Sequence, residues 1–327
     1  MRAISYQQLP SHWQRPQIYY LSRTIICFVV GLSISTLFIP VRTPIVLIVD
    51  IIVRTYLIFL GTVMAHESVH GHLGRTKAAN FWWGRVALIP SMVPFTNFQR
   101  THQLHHAHTN LPDKDPDHFM KSRNLLELAL RAIAMPHHWF FWLRKRGRLK
   151  RGDLFELFLN YLGIALVYLP ILVLVGPNRL LLGMVPSLIL VSLLLWYPFA
   201  VQTHEGFSTG SAAARSHNYY GRIMYWFSLG LSMHREHHLQ PKLSWIELCP
   251  YVEEAPSKWS IFLRDIRVDG KPSDVSDRFR VPEALINDFY REAVTPNSPG
   301  LPRFAATLGD GNEVSFNPNG VASVFFK

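Results

Sequence analysis

A chain of 327 residues with 49% hydrophobic and only 17% charged positions is too apolar for an average soluble domain and too long for a single membrane anchor. Its 33 Lys and Arg against 22 Asp and Glu give a formal net charge of +11, which suits nucleic acid, acidic partners or an anionic membrane leaflet. Only Cys27 and Cys249 are present, which argues against a disulfide framework and against a cysteine metal site.

Four apolar runs approach the roughly 20 residues that a helix needs to cross the hydrocarbon core of a bilayer. They are residues 24–41, 45–65, 160–176 and 180–201. The second run is interrupted by Asp50 and Arg54, which stand at i and i+4 and can neutralise each other inside the membrane. The sequence therefore predicts an all-α membrane protein with about four transmembrane helices, arranged as two hairpins.

The loops between these runs predict the orientation, because cytoplasmic loops carry the excess of Lys and Arg. Residues 66–153 contain fourteen basic residues, whereas the short turns on the other side contain one each, Arg42 and Arg179. We expect the middle segment and both termini to be cytoplasmic, with the aromatic stretch 138–143 at the membrane surface. The positive charge is thus explained by the membrane and not by nucleic acid.

Two further segments complete the predicted organisation. Residues 81–98 are mostly apolar but are broken by prolines, so we expect them to lie in the interface or to re-enter the membrane. Residues 1–251 are predicted to form one transmembrane catalytic domain. The chain is more polar over residues 252–327, which we expect to form a cytoplasmic C-terminal tail with some β character at 312–326.

Eleven of the 16 histidines fall into three short clusters and one single site. The first cluster directly follows the second apolar run, and its first two members are four residues apart, so they share one face of a continuing helix. The second and third clusters each contain the spacing i, i+3 and i+4. The residues are His66, His70 and His72; His102, His105, His106 and His108; His204; and His234, His237 and His238.

If the four runs span the membrane, all of these histidines lie near the same face of it, as a shared metal centre in a helix bundle requires. Imidazole suits iron, zinc, copper and nickel alike, so the ligand type does not identify the metal. The number of ligands is more informative. A single zinc takes three or four protein ligands, whereas the histidines other than His72 and His108 are numerous enough for two ions with positions left for oxygen.

These residues resemble the membrane fatty acid desaturase and hydroxylase superfamily, which is marked by the boxes HxxxH, HxxHH and HxxHH. The boxes stand here as HESVH from His66, HQLHH from His102 and HREHH from His234. The stretches HHAHTNLPDKDPDHF and MHREHHLQPKLSWIEL are similar to the segments around the second and third boxes in many members. One box is a weak motif, but three boxes with spans between them are specific.

The resemblance implies that nine histidines ligate two iron ions. In the acyl-CoA desaturases an Asn four residues before the single histidine adds a ligand, and Ala200 occupies that position here. Carboxylates near the boxes are predicted to orient the ligand rings. The implied ligands are His66, His70, His102, His105, His106, His204, His234, His237 and His238, with His72 and His108 given less weight, and the orienting carboxylates are Glu67, Asp117, Glu205 and Glu236.

The resemblance also implies chemistry with O2, in which hydrogen is removed from an unactivated C–H bond of an acyl chain or similar lipid that enters from the bilayer. Desaturation is the favoured reaction, while hydroxylation, carotenoid ketolation and oxidative decarboxylation to a terminal alkene use similar boxes. The sequence has no HPGG haem-binding signature and no flavin or dinucleotide fingerprint. We therefore expect a separate electron donor, a ferredoxin or a cytochrome b5-like protein, drawn to the basic face.

Two other classes of protein also use histidines near a membrane. The stretch from His66 to His70 matches HExxH, the zinc protease helix in which Glu67 would be the general base, but an intramembrane protease leaves the other clusters unexplained. A non-enzymatic metal transporter would place ionisable ligands near the middle of its spans. The spans contain only Asp50 and Arg54, and no histidine.

Overall fold

The structure of the chain is a computed structural model that describes residues 14–122, 124–204, 216, 218 and 222–249, together with three strands near the C-terminus. Nine α-helices occur in these residues. They are α1 (Arg15–Ser35), α2 (Pro44–Val69), α3 (Lys77–Ala87), α4 (Phe95–His108), α5 (Leu125–Lys145), α6 (Arg151–Val175), α7 (Pro177–Leu190), α8 (Arg222–Phe227) and α9 (His234–Leu239).

Four helical segments are long and apolar enough to cross a membrane, Arg15–Phe38, Pro44–Val69, Arg151–Val175 and Pro177–His204, so the prediction of an all-α protein with four spans is confirmed. The first span begins at Arg15, nine positions before the predicted start. Its first turn is capped, because the backbone N–H of Gln14 donates to the Gln17 side chain at 3.0 Å. Arg23 lies within the span. Its side chain is accommodated there because its Nε donates a hydrogen bond to the Leu73 carbonyl at 2.6 Å.

The fourth span changes its helix type before it reaches the histidines. After α7 the chain continues as a π-helix over Val191–Val201 and ends in a 3₁₀ turn, Gln202–His204. Pro198 lies inside this segment, and proline lacks the N–H that a regular α-helix needs. Such widened turns are frequent at functional sites, and this one leads directly into His204.

A buried polar network joins three of the spans. Arg54 Nη2 lies 2.6 Å from Asp50 Oδ1, which confirms the predicted neutralisation within α2. Arg179, in the first turn of α7 and not in the turn where the sequence placed it, lies 2.9 Å from the other carboxylate oxygen of Asp50. The two guanidinium groups also donate to the carbonyls of Ser33 and Thr36 at the end of the first span, at 2.5 and 2.6 Å. The network therefore holds α1, α2 and α7 together.

The segment between the second and third spans contains α3, α4 and α5. Residues 81–98 do not form a span but comprise the end of α3, a 3₁₀ turn at Ile89–Ser91 and the start of α4. The aromatic stretch 138–143 forms part of α5. The largest hydrophobic cluster joins α1, α2, α4 and the fourth span around Ile26, Phe59 and Phe199, all fully buried, and it positions the ends of these helices next to one another.

Three short strands form an antiparallel sheet in the order β1–β2–β3. They are β1 (Ala305–Thr307), β2 (Glu313–Phe316) and β3 (Ala322–Phe325). Ala306 pairs with Val314, and Val314 pairs with Val324. The last two strands lie in the stretch where the sequence has β character.

Candidate metal centre

Five histidine rings from three helices converge on one point. His66 and His70 come from the end of α2, His102 and His106 from α4, and His237 from α9, and one ring nitrogen of each lies within 4.8 Å of those of the other four. The Nε2 atom of His102 lies 3.0 Å from that of His70 and 2.9 Å from that of His106. We call these five residues the first histidine group.

Four other rings converge in the same way and form the second histidine group. His105 comes from α4, His204 from the end of the fourth span, and His234 and His238 from α9. The Nε2 atom of His204 lies 3.1 Å from that of His105 and 2.9 Å from that of His234. Adjacent histidines on one helix enter different groups because successive residues of an α-helix are about 100° apart around its axis.

The spacing within each group fits a metal ion. Imidazole nitrogens bound to one ion at about 2.1 Å stand roughly 3 Å apart when they are neighbours, and the closest ring nitrogens here are separated by 2.9 to 3.2 Å. The buried Nε2 atoms of His66 and His238 have no hydrogen-bond partner within the described part of the chain. A bound cation would satisfy these acceptors.

The protonation of the rings also favours metal binding, which requires neutral imidazole. Burial, reinforced by the neighbouring rings, lowers the pKa of six of these histidines well below its usual value, which keeps a lone pair free for an ion. These six are His70, His102, His106, His234, His237 and His238.

His105 is oriented by a carboxylate that the sequence did not single out. Its Nδ1 lies 3.0 Å from Asp115 Oδ1, and 3.7 Å from Asp117 Oδ2, although Asp117 was the residue predicted to orient a ligand. Burial opposes a charged ring, but the two carboxylates outweigh it and raise the pKa of His105 to about 9. Burial and the charge of Asp115 raise the pKa of Asp117 to about 6. The spacing of the DKDPD turn does not reveal which Asp points inward.

Glu67 lies between a histidine of the first group and one outside it. Its Oε1 is 3.6 Å from His66 Nδ1, while its Oε2 accepts hydrogen bonds from His72 Nδ1 at 2.8 Å and from the backbone N–H of Trp245 at 2.9 Å. The Nε2 atom of His72 is 3.1 Å from the Lys242 carbonyl. His72 is therefore engaged at both nitrogens and lies outside the two histidine groups.

Three further residues that the sequence predicted to bind or orient the metal are His108, Glu236 and Glu205. His108 belongs to neither histidine group. Burial raises the pKa of Glu236, whose carboxylate accepts a hydrogen bond from the Asn218 amide, while Asn218 Oδ1 accepts from the backbone N–H of Arg235 at 2.8 Å. Asn218 thus supports the start of α9. Glu205 lies outside the described residues.

An apolar cavity of about 300 Å³ extends from the histidines into the helix bundle. Two rings of each histidine group line it, namely His66, His102, His105 and His234. Most of the wall consists of aliphatic and aromatic side chains from α2, α5 and the fourth span. The sequence did not predict the cavity, because its walls come from elements that are distant along the chain.

Trp139 joins this cavity to the ligands of the second histidine group. It lines the wall, and its Nε1 donates to Asp117 at 2.9 Å. Its ring also packs against Phe98, which lines the same cavity, with centroids 5.8 Å apart. Phe98 in turn stacks on His102 of the first histidine group at 5.6 Å.

The family model described as "Fatty acid desaturase" matches residues 41–255. The chain is 32% identical over 96 residues to the omega-3 fatty acid desaturase fat-1 of Caenorhabditis elegans, an alignment that covers 29% of this chain and 23% of that protein. It is 30% identical over 88 residues to the sn-1 acyl-lipid omega-3 desaturase (ferredoxin) of Synechocystis sp., covering 24% of each chain. The aligned part thus spans about a quarter of the length of these curated relatives. No solved structure matches the chain significantly.

Proposed function

The chain belongs to the fatty acid desaturase family and is an integral membrane protein, and on that premise we propose that it uses O2 and two iron ions to introduce a double bond into the acyl chain of a lipid. The observation that carries this proposal is the apolar cavity that contacts both histidine groups. An acyl chain has no hydrogen-bonding groups along its length, so a cavity with mostly apolar walls suits it.

In this proposal each histidine group holds one iron. Bound iron would supply the activation of O2 that allows an unactivated C–H bond to be broken. The protein holds the rings in place. Asp115 accepts a hydrogen bond from Nδ1 of His105, so that Nε2 of the same ring faces the second histidine group and would be free to bind iron. Glu67 lies close to Nδ1 of His66.

The proposed reaction breaks one C–H bond on each of two adjacent carbons and forms one C=C bond between them. O2 accepts these two hydrogens together with two electrons and two protons from outside, and leaves as two molecules of water. The chain's own residues must hold the acyl chain against the histidines and exclude water from it. Thr62, Phe98 and Trp196 line the cavity, and Phe98 stacks on His102; they are suited to positioning the reacting carbons.

The two electrons come in this proposal from a separate protein, either a ferredoxin or a cytochrome b5-like donor. The Synechocystis relative is named as a ferredoxin-type desaturase, which supports a ferredoxin as the donor. The run of six basic residues between Arg144 and Arg151 is exposed and offers an acidic donor a complementary surface. We further propose that the histidines and both termini face the cytoplasm, that residues 1–251 form the catalytic domain, and that residues 252–327 form a cytoplasmic tail.

The contacts of Glu67 weigh against an intramembrane zinc protease. In such an enzyme Glu67 would face the metal-bound water as a general base, yet both of its oxygens are near other partners, His66 on one side and His72 and the Trp245 backbone on the other. His66 and His70 belong to a five-membered group, which is more than one zinc requires.

Lipid profiling of cells that produce the protein tests the proposal, with the His105→Ala variant as the control. We expect new unsaturated acyl chains with the wild type only, and about two irons per purified wild-type chain. A hydroxylated or ketolated lipid without a new double bond would contradict desaturation. A single zinc without iron would contradict the di-iron assignment.

A further inference from the structure

The two histidine groups differ in how far they are open to solvent. All four rings of the second histidine group are buried, whereas two rings of the first, His70 and His106, are half-buried. The Nε2 contact between His106 and His102 is partly exposed, while the one between His105 and His204 is buried. Electron transfer slows steeply as the distance grows, so an electron from another protein reaches the first histidine group more readily than the second.

One of the two half-buried rings also touches the second histidine group. The imidazole of His106 stacks on that of His238, with ring centroids 4.1 Å apart and planes 14° from parallel, which is stacking contact. The rings of His102 and His105, which also belong to different groups, are 5.9 Å apart. Within the described part of the chain, His106 therefore offers the closest ring contact from the surface to the second histidine group.

The outer face of α4, which we define by Arg100, Gln103 and Ala107, is exposed next to His106. Gln103 stands three residues before His106, and residues three apart are neighbours on the surface of a helix. Gln103 and Ala107 are four residues apart and share one face. A protein that contacts this face therefore lies beside the half-buried ring of His106.

The basic run, residues 144–151, is held beside the outer face of α4 by contacts at its two ends. In the loop after α4, the Asp113 carbonyl accepts a hydrogen bond from Arg146 Nη2 at 2.7 Å. At the other end, Asp153 Oδ1 lies 2.6 Å from Arg100 Nη2, two residues after the run. One contact lies before His106 in the chain and the other after it, so the run lies alongside the part of α4 that carries this ring.

The charges beside the outer face of α4 are mostly positive. All six Lys and Arg of the basic run are exposed. Of the acidic residues that hold the run in place, Asp153 is buried and paired with Arg100, and Asp113 is exposed. A surface of this charge attracts an acidic protein and speeds its encounter.

We propose that a small acidic electron carrier of the ferredoxin type docks on the outer face of α4 against the basic run, and that its electrons enter the metal centre through the ring of His106. This inference rests on the proposed function, in which each new double bond requires two electrons. A ferredoxin gives up one electron at a time, so two carriers are oxidised for each double bond, and the transfer itself makes or breaks no covalent bond. The stack of His106 on His238 then serves the second histidine group, which needs no docking surface of its own.

Binding of a plant-type ferredoxin to the purified protein in detergent, measured by calorimetry at low salt, tests the docking surface. Gln103→Glu adds a negative charge beside His106, so we expect the dissociation constant to rise about twofold to fivefold, and Gln103→Lys should lower it by a similar factor. Both shifts should vanish near about 1 M salt, where charges are screened within about 3 Å. A disturbed fold would weaken binding in both variants, so opposite signs identify charge as the cause.

The rate at which ferredoxin reduces the iron-loaded protein, followed by stopped-flow absorbance, should follow the same order at equal iron content. Asn178→Asp and Asn178→Lys are the matched controls. Asn178 is an exposed amide in the first turn of α7, at the end of the fourth span opposite to His204. These controls change the net charge as the Gln103 variants do, but they should bind ferredoxin like the wild type.

Three results would overturn the inference: no binding of ferredoxin to the wild type, equal binding by the two Gln103 variants, or equal shifts in the Asn178 variants. The proposed function is tested separately by the lipid profile of the wild type. New double bonds without the response at Gln103 would contradict the docking surface alone. The absence of new double bonds would contradict the proposed function, and the inference with it.

Discussion

Asp115 accepts a hydrogen bond from Nδ1 of His105 at 3.0 Å, and the opposite ring nitrogen of His105 lies 3.1 Å from Nε2 of His204. The carboxylate thereby orients the ring, so that its opposite nitrogen faces the second histidine group. The same carboxylate accepts from the backbone N–H groups of Asn110 and Asp117, at 2.7 and 2.9 Å. The loop after α4 is thus folded around the group that orients a ligand.

Replacing Asp115 by Asn should weaken metal binding, and it also removes one of the two oxygens that accept backbone N–H groups of the loop. An amide can donate to Nδ1 and favour the wrong tautomer of His105, so we expect iron affinity to fall by about 10- to 100-fold, measured by chelator competition and metal analysis. Asp113→Asn is the matched control, since Asp113 is exposed and its side chain contacts neither histidine group. Equal iron affinity in the two variants would disprove the orienting role of Asp115.

His106→Ala and His108→Ala differ by two positions and should differ in iron content. His106 belongs to the first histidine group, whereas His108 belongs to neither. Loss of the His106 ring removes one of five predicted ligands, so we expect reduced iron and no product from His106→Ala. The His108→Ala protein should retain both irons. An equal loss of iron from His108→Ala would contradict the assignment of His106, and not His108, to the first histidine group.

Trp139→Phe tests the link between the cavity and the second histidine group. The substitution keeps an aromatic wall but removes the Nε1 donor to Asp117, and a lost hydrogen bond to a charged group costs about 1.5–3 kcal/mol. We expect several-fold less product per iron with near-normal iron content. Trp142→Phe, on the same helix but absent from the cavity wall, should have no such effect. Activity per iron that is unchanged in Trp139→Phe would rule out the positioning role.

Asp50→Asn should destabilise the bundle without touching the histidines. It leaves Arg54, which is fully buried, and Arg179 without their shared carboxylate, and removing one partner of a buried ion pair costs about 3–5 kcal/mol. Thermal unfolding in detergent should show a lower midpoint than for the wild type. The exposed turn residue Arg42 provides the control Arg42→Gln. A midpoint unchanged by Asp50→Asn would show that the network contributes little to stability.

Local sequence was sufficient for the spans and for the spacing within each histidine box. Hydrophobic length determines whether a helix crosses a bilayer, and residues four apart on a helix share one face wherever that helix lies. For the same reason the pairing of Asp50 with Arg54 could be predicted from their separation alone. The additional partner, Arg179, could not, because it reaches Asp50 from another span.

Tertiary structure decided how the histidines divide between two groups and which residues line the cavity. His70 meets His237, and His105 meets His204 and His238, only because α2, α4, α9 and the fourth span end side by side, and helix packing depends on side chains far apart along the chain. Whether Asp115 or Asp117 lies closer to the His105 ring depends likewise on the path of the loop after α4. The cavity depends on how α2, α5 and the fourth span face each other, since the shape of a cavity is a property of several surfaces and no single segment encodes it.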